Sequence, residues 1–425
     1  MSIEEKKNSQ ISLDSNTYLP SSETEVAEII KKIYSKKLPI EVLGSGSKKN
    51  FGYNLQTAKT LNLSNLSGII EYKKEELYIK VKAGTPLEEV EKILDENNQQ
   101  LAFEPIDFGY LNKGNSNKGT VGGYVACNFA GSRRYKVGSV RDHILGFRGV
   151  NGKGDIIKSG GTVVKNVTGY DLSKLISGSF GTLAVLTEIT LKVSPKKQSQ
   201  ITVITYSEDI KKISNLFDKI LSSSNEVSGA TFIPEEPNNK KYELTKRNVF
   251  KFNDLDQEGS FLGFRIEGNK TSINERLKDL KKELDLKSFK TSILDVYQSV
   301  PFWQKVNNLE IFTNTKNNIL RAVIPPAKCE LFLKLLSKKY KYFVDWCGSL
   351  FWVEVADKED DKINLIKKFV IENNGYLTIL KKSENFDFKD TLFTIDETRL
   401  MISKKIKESF DPKGLFNPGK MYREI

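Results

Sequence analysis

The stretch PIEVLGSGSKKNFG (residues 39–52) joins a predicted strand, residues 39–44, to a turn that is rich in glycine and serine. Gly44 and Gly46, with the small residues Ser45 and Ser47, allow positive φ angles and a close approach of the backbone to a ligand. Successive N–H groups in such a turn can form a nest for anionic oxygens, which suits a diphosphate. Turns of this composition also follow strands without any ligand, so the loop alone leaves both interpretations open.

Two familiar nucleotide-binding motifs do not fit this loop. A Rossmann fingerprint needs G-x-G-x-x-G followed at once by a helix, whereas the next glycine after Gly46 is Gly52 and no good helix follows. A P-loop needs G-K-[ST], which the sequence lacks. A nucleotide would therefore have to be held by a different fold.

Around the loop, hydrophobic periodicity predicts alternating helices and strands. Residues 23–36 carry apolar side chains at helical spacing, and residues 77–84 alternate as a half-buried strand does. Thr85-Pro86-Leu87-Glu88 predicts a capping box that opens a helix through about Glu96. Asn151-Gly152 predicts a hairpin turn, and Ser194-Pro195-Lys196-Lys197 a domain boundary.

The residues beyond that boundary predict a second α+β unit. The predicted strands are SQITVITY, FLGFRIEG, NILRAVIP, LFWVEVAD and GYLTILK, and the predicted helices are DIKKISNLFDKIL, SINERLKDLKKEL and KCELFLKLLSKKY. A last helix, DETRLMISKKIKESF, precedes a tail with Pro and Gly.

Composition excludes several classes of protein. The 425 residues are 38% apolar and 28% charged, which is typical of a globular protein. No apolar run is long enough to span a membrane, and the N-terminus MSIEEKKNSQ is no secretory signal, so we expect a cytoplasmic protein. The net charge is +12, but the lysines are spread along the chain beside acidic residues, so we expect no nucleic-acid binding.

Cysteine and histidine usage limits metal and redox chemistry. Cys127, Cys329 and Cys347 form no CxxC pair, so this chain alone carries no iron–sulfur cluster, and we expect three buried, reduced thiols. The only histidine is His143, which removes most metal sites and every two-histidine motif, so we expect no bound metal.

Two further glycine-rich segments complete the pattern. GTVGGYVACNFAGSRRY (119–135) and KNVTGYDLSKLISGSFGTLAVLTEITLKV (165–193) follow the first loop, and SFDPKGLFNPGKMY (409–422) ends the chain. With EPIDFG (104–109) and GSVRDHILG (138–146), this order resembles the vanillyl-alcohol oxidase/PCMH class of FAD-binding oxidoreductases. Within that class it is most similar to the FAD-binding E subunits of bacterial glycolate oxidases. The resemblance is dense over roughly residues 38–194, thinner over 225–385, and clear again in the tail.

The resemblance implies an α+β fold, in which a two-subdomain PCMH-type FAD-binding domain is followed by a smaller α+β cap or substrate domain. The implied divisions are a flexible tail (1–20), the FAD-binding domain (21–197), the cap domain (198–395), and a C-terminal helix and tail (396–425) that return to the FAD domain. The implied cofactor is FAD. The first loop lacks the histidine through which some relatives attach it, so we expect non-covalent binding.

The resemblance also implies which residues contact FAD. The diphosphate would be wrapped by the first loop, the flavin and ribityl region lined by the second segment, and the cofactor flanked by the third segment and the tail. The implied residues are Gly44, Ser45, Gly46, Ser47, Lys48, Pro105, Gly122, Gly123, Asn128, Ala130, Gly181, Thr182, Leu183, Ala184, Leu186 and Asn417. Phe180 stands where commoner relatives have a polar residue, so only a backbone contact is expected there.

The catalytic residues stay open at this stage. Oxidation of a 2-hydroxy acid needs a base and a positive clamp for the carboxylate. His143 is the only histidine candidate for the base, and an incidental position at a strand edge is the favoured interpretation. Arg133 or Arg134 could clamp a carboxylate or face a partner. Arg133, Arg134, Arg141 and Arg148 could serve a ligand or form structural ion pairs, and Asp171 is expected to be a structural hydrogen-bond acceptor.

Three functions follow from the resemblance. The first is the FAD subunit of a glycolate oxidase complex, with a D-type flavoprotein subunit, an iron–sulfur F-type subunit, a small 2-hydroxy acid as substrate, and possible peripheral attachment to the inner membrane through these partners. The second is a self-sufficient FAD-dependent dehydrogenase of D-lactate-like acids. The third is a non-catalytic flavin-binding scaffold. The scarcity of histidine and cysteine favours the first.

Overall fold

The computed structural model describes residues 15–55, 57–162, 170–238, 240–242, 245–252, 255, 259–387 and 390–425. The strands of these residues are β1 (Thr17–Tyr18), β2 (Ile40–Leu43), β3 (Lys59–Asn62), β4 (Ile69–Lys73), β5 (Tyr78–Lys82), β6 (Gln99–Gln100), β7 (Ile144–Val150), β8 (Ile156–Gly160), β9 (Val185–Lys192), β10 (Ser194–Pro195), β11 (Ser199–Tyr206), β12 (Gly229–Ile233), β13 (Phe261–Gly268), β14 (Lys290–Leu294), β15 (Asn318–Val323), β16 (Lys341–Asp345), β17 (Leu350–Val355) and β18 (Tyr376–Lys381).

The helices are α1 (Glu23–Lys36), α2 (Leu87–Asp95), α3 (Gly109–Lys113), α4 (Val121–Cys127), α5 (Arg134–Val137), α6 (Val140–His143), α7 (Leu172–Ile176), α8 (Ile210–Ser222), α9 (Lys246–Val249), α10 (Lys270–Glu283), α11 (Val296–Asn307), α12 (Cys329–Leu336), α13 (Asp360–Glu372) and α14 (Glu397–Phe410). Short 3-10 turns lie at Leu286–Ser288, Glu310–Phe312 and Pro326–Lys328.

The N-terminal half contains two main sheets. Strands β1, β3 and β2 form a parallel sheet in that order, and β4-β5-β9-β7-β8 form an antiparallel sheet. Helix α1 is amphipathic as predicted, since Val26, Ile30 and Ile33 are fully buried. In β5 the side chains of Ile79 and Val81 are buried and those of Lys80 and Lys82 are not, because one face of the sheet meets the core.

The C-terminal half is built on one eight-stranded antiparallel sheet, in the order β14-β11-β13-β12-β16-β17-β15-β18. One face packs on α8, α10, α12 and α13. The other face packs on α11 and on the N-terminal half, where Ile319, Phe343 and Trp352 enter the larger core. Because both faces are covered, strands such as β17 are buried along their whole length.

The end of the chain returns to the N-terminal half. After α14, Phe416 bridges Ile40 of β2, and the Ile40 amide donates to the Leu415 carbonyl at 2.8 Å. The Lys407 ammonium, which is buried, donates to the Thr182 carbonyl at 2.6 Å and to Asp411 Oδ2 at 2.8 Å. The tail therefore forms part of the wall around the first glycine loop.

Most predicted elements are present, and the predicted α+β class is confirmed. The capping box at Thr85 is wrong: Pro86 is the N-cap of α2, and no side chain caps this helix. The Thr85 hydroxyl instead donates to the Lys82 carbonyl at 2.7 Å. The hairpin at Asn151 is present, but its loop is longer than the Asn-Gly pair, because the Asn151 side chain accepts from the amides of Lys153 and Asp155.

A flexible tail is predicted over residues 1–20. Residues 1–14 of this segment lie outside the described residues. Within the rest of it, Thr17–Tyr18 pair with β3 and Tyr18 is buried, so the predicted tail ends before residue 20. The domain boundaries proposed at residues 197 and 395 stay predictions.

Candidate functional site

A deep cleft opens beside the first glycine loop. Its volume, with the solvent in the open mouth included, is about 780 Å³. Four segments form its walls: 41–49, 120–127, 180–186 and 417–420. The lining residues are Glu41, Val42, Leu43, Gly44, Ser45, Gly46, Ser47, Lys48, Lys49, Leu55, Leu63, Ala83, Thr120, Gly122, Gly123, Ala126, Cys127, Phe180, Gly181, Ala184, Leu186, Asn417 and Lys420.

The shape of the first loop requires glycine at two positions, at Gly44 because there is no space for a side chain and at Gly46 because of its positive φ. A Cβ on Gly44 would lie 2.1 Å from the Thr120 hydroxyl oxygen, so this position admits no side chain unless Thr120 moves. Gly46 has open space around it but a φ of +76°, which side-chain-bearing residues rarely adopt. The Lys49 amide closes the turn by donating to the Gly46 carbonyl at 3.0 Å.

The second wall is the start of α4. The Thr120 side chain is its N-cap and accepts from the Gly123 amide at 3.3 Å. A Cβ on Gly122 would lie 2.8 Å from the Ala83 carbonyl oxygen, so the helix approaches β5 closely because this residue is glycine. The cleft here is bounded by backbone rather than by bulky side chains.

Asn417 joins three walls of the cleft. Its Oδ1 accepts from the Val42 amide at 2.7 Å, and its Nδ2 donates to the Phe180 carbonyl at 2.9 Å. A Cβ on Gly181, whose φ is +71°, would lie 2.8 Å from that same Nδ2. Asn417 therefore positions the loop at 180–181 against the strand that precedes the first loop.

Two ammonium groups give the cleft a positive lining. Lys48 Nζ donates to the Ser47 hydroxyl at 3.0 Å and to the Lys118 carbonyl at 3.2 Å, and Lys420 Nζ donates to the Lys49 carbonyl at 2.6 Å. Burial lowers the pKa of Lys48, and burial lowers the pKa of Lys420 to about 8 although Glu41 opposes the shift. Bound phosphate oxygens would favour the charged forms of both groups.

The structure brings most of the predicted cofactor residues to this cleft. Those that line it are Gly44, Ser45, Gly46, Ser47, Lys48, Gly122, Gly123, Gly181, Ala184, Leu186 and Asn417. Phe180, for which only a backbone contact was predicted, lines it as well. Contact of each of these residues with a cofactor stays a prediction.

The other predicted residues do not line the cleft. Asn128 is the C-cap of α4 with a φ of 54°, and its Oδ1 accepts from the Arg141 amide at 3.0 Å. Thr182 and Leu183 line a second cleft between α7 and α14. Ala130 is buried and Pro105 half-buried. These positions support the walls, and their contact with a cofactor stays a prediction.

Sequence reasoning missed several lining residues, among them Thr120, Cys127 and Lys420. The signal for Lys420 was present, since it follows Asn417 in the tail motif NPGKMY. Cys127, expected to be a buried thiol, is half-buried on the cleft wall. Burial raises the pKa of its thiol to about 11, against the opposing charges of Lys48 and Lys420.

The catalytic candidates lie elsewhere. Arg133 forms a bidentate ion pair with Glu267, with Nε–Oε2 and Nη2–Oε1 distances of 2.9 and 2.6 Å. It also forms an ion pair with Glu104 at 3.2 Å. His143 ends α6 rather than a strand, its Nε2 lies 3.1 Å from the Val137 carbonyl, and burial lowers its pKa. Neither side chain lines the cleft.

The remaining arginines of this group divide into two sets. Arg148 forms an ion pair with Glu23 at 2.5 Å, and Arg141 donates to the Lys174 carbonyl at 3.2 Å, so both are structural. Arg134 stacks on Trp346, with 4.4 Å from Cζ to the ring centroid. Asp171 is the N-cap of α7, as expected of a structural acceptor, and accepts from the Lys174 amide at 3.3 Å.

Within the described part of the chain, no group of three or more His, Cys, Asp or Glu side chains is arranged to hold a metal ion. Among the same residues, no helix is both long and apolar enough to cross a bilayer.

Comparison with known proteins agrees with the geometry. Residues 16–160 match the family described as FAD binding domain. The chain is 30% identical over 400 residues to glycolate oxidase subunit GlcE of Escherichia coli K12, covering 94% of this chain and 97% of that protein. It is 34% identical over 191 residues to D-lactate dehydrogenase of Anaerostipes hadrus, covering 45% of this chain and 38% of that protein.

Solved structures show the same fold. p-Cresol methylhydroxylase aligns with a TM-score of 0.70 at 13% identity, over 96% of this chain and 88% of that one. 4-Ethylphenol oxidase from Gulosibacter chungangensis aligns with a TM-score of 0.69 at 12% identity, over 96% and 89%. The predicted PCMH-type architecture is thus confirmed.

Proposed function

The chain belongs to the family of the FAD-binding E subunits of glycolate oxidase, and from this membership we propose that it is the FAD-binding subunit of a complex that oxidises glycolate or a similar 2-hydroxy acid to the 2-oxo acid. The observation that supports this most directly is the cleft. Two of its four walls, 41–49 and 120–127, lie within residues 16–160, which match the family described as FAD binding domain.

The residues present fit FAD. The close packing of Gly44 on Thr120 and of Gly181 on Asn417 leaves backbone, not side chains, to face the cleft. The amides of the first loop, with Lys48 and Lys420, would hold the diphosphate, because both supply positive charge where the loop turns. When bound, FAD supplies the acceptor for the hydride that leaves the carbon bearing the hydroxyl group.

Non-covalent binding follows from the chemistry of the lining residues. The first loop offers Ser47 and Lys48 but no histidine. Cys127 is the sulfur nucleophile on the wall, and attack on a ring carbon requires its thiolate. Because burial raises the pKa of this thiol to about 11, it is neutral at physiological pH and is a poor nucleophile.

Electrons need a route out of the flavin. The three cysteines are free thiols, and none belongs to a CxxC pair. We therefore assign onward transfer to partners, namely an iron–sulfur F-type subunit and a D-type flavoprotein subunit. The chain is itself 28% identical over 205 residues to glycolate oxidase subunit GlcD of Bacillus subtilis, so a D-type partner would share its FAD-binding architecture. A cytoplasmic location, with attachment to the inner membrane through these partners, belongs to the same proposal.

The visible spectrum of the purified chain tests the proposal. We expect a yellow protein that releases its flavin into the supernatant on denaturation, and whose flavin is reduced by glycolate under anaerobic conditions once the partner subunits are added. A colourless chain that takes up no added FAD would overturn the cofactor assignment. A reconstituted complex that glycolate fails to reduce would overturn the substrate class.

A further inference from the structure

Two guanidinium groups lie over one indole ring where the N-terminal half meets the eight-stranded sheet. The Cζ atoms of Arg134 and Arg321 lie 4.4 and 5.0 Å from the centroid of the Trp346 ring. Arg134 begins α5, whereas Arg321 belongs to β15, so the two cations come from different parts of the chain. Both keep partial access to solvent, since each side chain is half-buried.

Trp346 is a fixed platform for them. Its indole Nε1 donates to the Gly131 carbonyl at 2.9 Å, and its backbone amide donates to Asp345 Oδ1 at 2.8 Å. The side chain is buried, and its φ of 50° sets the ring direction in a tight turn after β16. Stacking on this ring orients the guanidinium groups without using their hydrogen-bond donors.

Among the residues that the structure describes, no Asp or Glu oxygen lies within ion-pair distance of Arg134 or Arg321. Burial lowers the pKa of the Arg134 guanidinium, although the charge of Asp142 opposes the shift. Arg321 is flanked by the rings of Phe129 and Trp352, whose centroids lie 5.8 and 5.9 Å from its Cζ. Burial, with the charge of Arg134 in second place, lowers the pKa of the Arg321 guanidinium to about 9.

Two other arginines at the same interface are paired. Arg133 and Arg265 share Glu104, at 3.2 and 2.7 Å, and both also contact Glu267. Among the described residues, the interface therefore places one pair of guanidinium groups in ion pairs and leaves Arg134 and Arg321 in none.

A pair of like charges without ion-pair partners is unfavourable in a low-dielectric setting, and stacking on an aromatic ring offsets this only in part. A bound carboxylate would offset the charge and accept two parallel hydrogen bonds from a planar guanidinium, which is the geometry that arginine offers better than lysine.

We propose that Arg134 and Arg321, oriented by Trp346, form the site that binds the carboxylate of a small 2-hydroxy or 2-oxo acid. The class of acid rests on the function proposed above, whereas the anion site itself does not. Two rings stand between the site and the cleft: the Phe129 ring centroid lies 5.8 Å from Arg321 Cζ and 6.3 Å from the ring centroid of Phe180, which lines the cleft. This chain therefore binds the acid itself rather than only relaying electrons from a partner subunit.

Oxalate binding to the FAD-loaded chain tests the site. Oxalate carries the carboxylates of the substrate class but has no C–H bond from which a hydride could leave, so binding is measured without turnover. We expect saturable quenching of tryptophan fluorescence in the wild type. Because each variant loses charge-assisted hydrogen bonds to the carboxylate, we expect at least a tenfold rise in the oxalate Kd for Arg321→Gln and for Arg134→Gln. Inorganic phosphate, added at the same concentration, should compete weakly or not at all.

Arg399→Gln is the matched control. Arg399 also stacks on a ring, that of Tyr376 at 5.0 Å, but it lies on the exposed surface and pairs with Asp396. Its loss should leave the oxalate Kd unchanged. Because Arg321 has no acidic partner among the described residues, Arg321→Gln should also leave the melting temperature unchanged or raise it, whereas loss of a merely structural arginine would lower it.

The proposal is overturned if wild-type protein binds no oxalate, if Arg321→Gln and Arg134→Gln bind it as tightly as wild type, or if phosphate displaces oxalate with equal affinity, which would indicate an unselective anion site. Oxalate binding that depends on both arginines in a chain that no acid can reduce would uphold the site and refute only the proposed reaction.

Discussion

At the scale of single residues, Gly44 illustrates why the cleft is bounded by backbone. A methyl group at this position would lie 2.1 Å from the Thr120 hydroxyl oxygen, which caps α4 and faces the same cleft. Gly44→Ala must therefore displace either the first loop or the start of α4. We expect at least a tenfold weaker FAD affinity, a loss of about 1.4 kcal/mol or more, measured by titrating apoprotein with FAD.

Gly161→Ala is the control for this change, because a Cβ at Gly161 meets no atom within 4 Å and the residue lies outside the cleft. Equal FAD affinities for the two variants would contradict the role given to Gly44.

Asp345 predicts an effect of pH on stability. Burial raises the pKa of this carboxyl to about 7, although hydrogen bonds from Ser132 and the Trp346 amide oppose the shift. The folded-state pKa lies above the unfolded value near 3.8. At pH values between these two pKa values, the folded protein keeps a proton that the unfolded chain has released. Its stability should fall as pH rises through this window, by up to about 1.4 kcal/mol per pH unit.

Asp345→Asn mimics the protonated acid and should flatten that dependence. Urea unfolding at pH 5 and pH 8 measures it: the gain in stability of the variant over wild type should be larger at pH 8 than at pH 5, because the wild type loses stability across this range. Asp279→Asn, on the exposed face of α10, should follow the wild-type curve. Parallel curves for wild type and Asp345→Asn would refute the raised pKa.

The residues of the site differ in how far sequence could identify them. Gly44 and Gly181 can be identified from sequence because glycines cluster between the predicted strands. The structure explains why both are glycine, since a Cβ at either position would contact a neighbouring side chain too closely. Asn128 was predicted from its place in a glycine-rich segment, but it caps α4 in the left-handed region and does not line the cleft, a position that sequence does not distinguish from that of a polar ligand. Arg321 could not be found, since its isolation from carboxylates is a property of the assembled interface and not of the strand NILRAV.

At the scale of elements, the same contrast appears. Helix α1 and strand β5 follow from periodicity because each has one buried face. Helix α4 was not predicted, since VGGYVAC has two glycines, yet it forms a helix through the Thr120 cap and the contact of Gly122 with Ala83. Helix α11 was also not predicted, because Pro301 interrupts its pattern while packing of Phe302 and Trp303 stabilises it.

The junction of α14 with the N-terminal half depends on Lys407. Its buried ammonium donates to the carbonyls of Thr182 and Phe416, at 2.6 and 2.9 Å, and to Asp411 at 2.8 Å. Lys407→Met would leave the fully buried Asp411 without its counter-charge. We expect a loss of about 3–5 kcal/mol in the free energy of unfolding, measured by urea denaturation, and a weaker FAD affinity because the tail carries Asn417.

The double variant Lys407→Met/Asp411→Asn separates charge from shape. The Asp411 carboxylate accepts from the Phe416 amide at 2.8 Å, and the amide oxygen that replaces it in Asp411→Asn can still accept that hydrogen bond. The double variant should recover part of the stability that Lys407→Met loses, and additive losses would show that the ion pair is not what joins these elements.

At the scale of the whole molecule, four charged side chains join the two halves of the chain. Glu104 and Arg133 come from the N-terminal half, and Arg265 and Glu267 from β13. Burial alone would raise the pKa of Glu267, but Arg265 and Arg133 hold it well below its usual value. The same balance of burial against Arg133 and Arg265 lowers the pKa of Glu104.

Glu267→Gln removes one carboxylate that two arginines share, so we expect a loss of about 3–5 kcal/mol in the free energy of unfolding near neutral pH. Glu275→Gln breaks only an exposed pair with Lys278 at 3.9 Å and should cost under about 1 kcal/mol. Denaturant unfolding of the three proteins side by side makes the comparison, and equal stabilities would contradict the role of the network.

Acid should also weaken this network in the wild type. Its stability should rise with pH on account of Glu267, whereas it falls with pH on account of Asp345. The folded-state pKa of Glu267 lies below the unfolded value near 4.5, so its stabilisation is fully present above pH 4.5 and is lost as pH falls through the folded value. Wild-type stability should therefore fall steeply below about pH 4.5, and that of Glu267→Gln less steeply, because glutamine takes up no proton. Since Asp345 costs stability as pH rises above its unfolded value near 3.8 and Glu267 as pH falls below 4.5, the two carboxyls together predict a stability maximum at about pH 4. A variant with both Asp345→Asn and Glu267→Gln should lose that maximum, and a double variant that keeps it would place the pH dependence outside the interface.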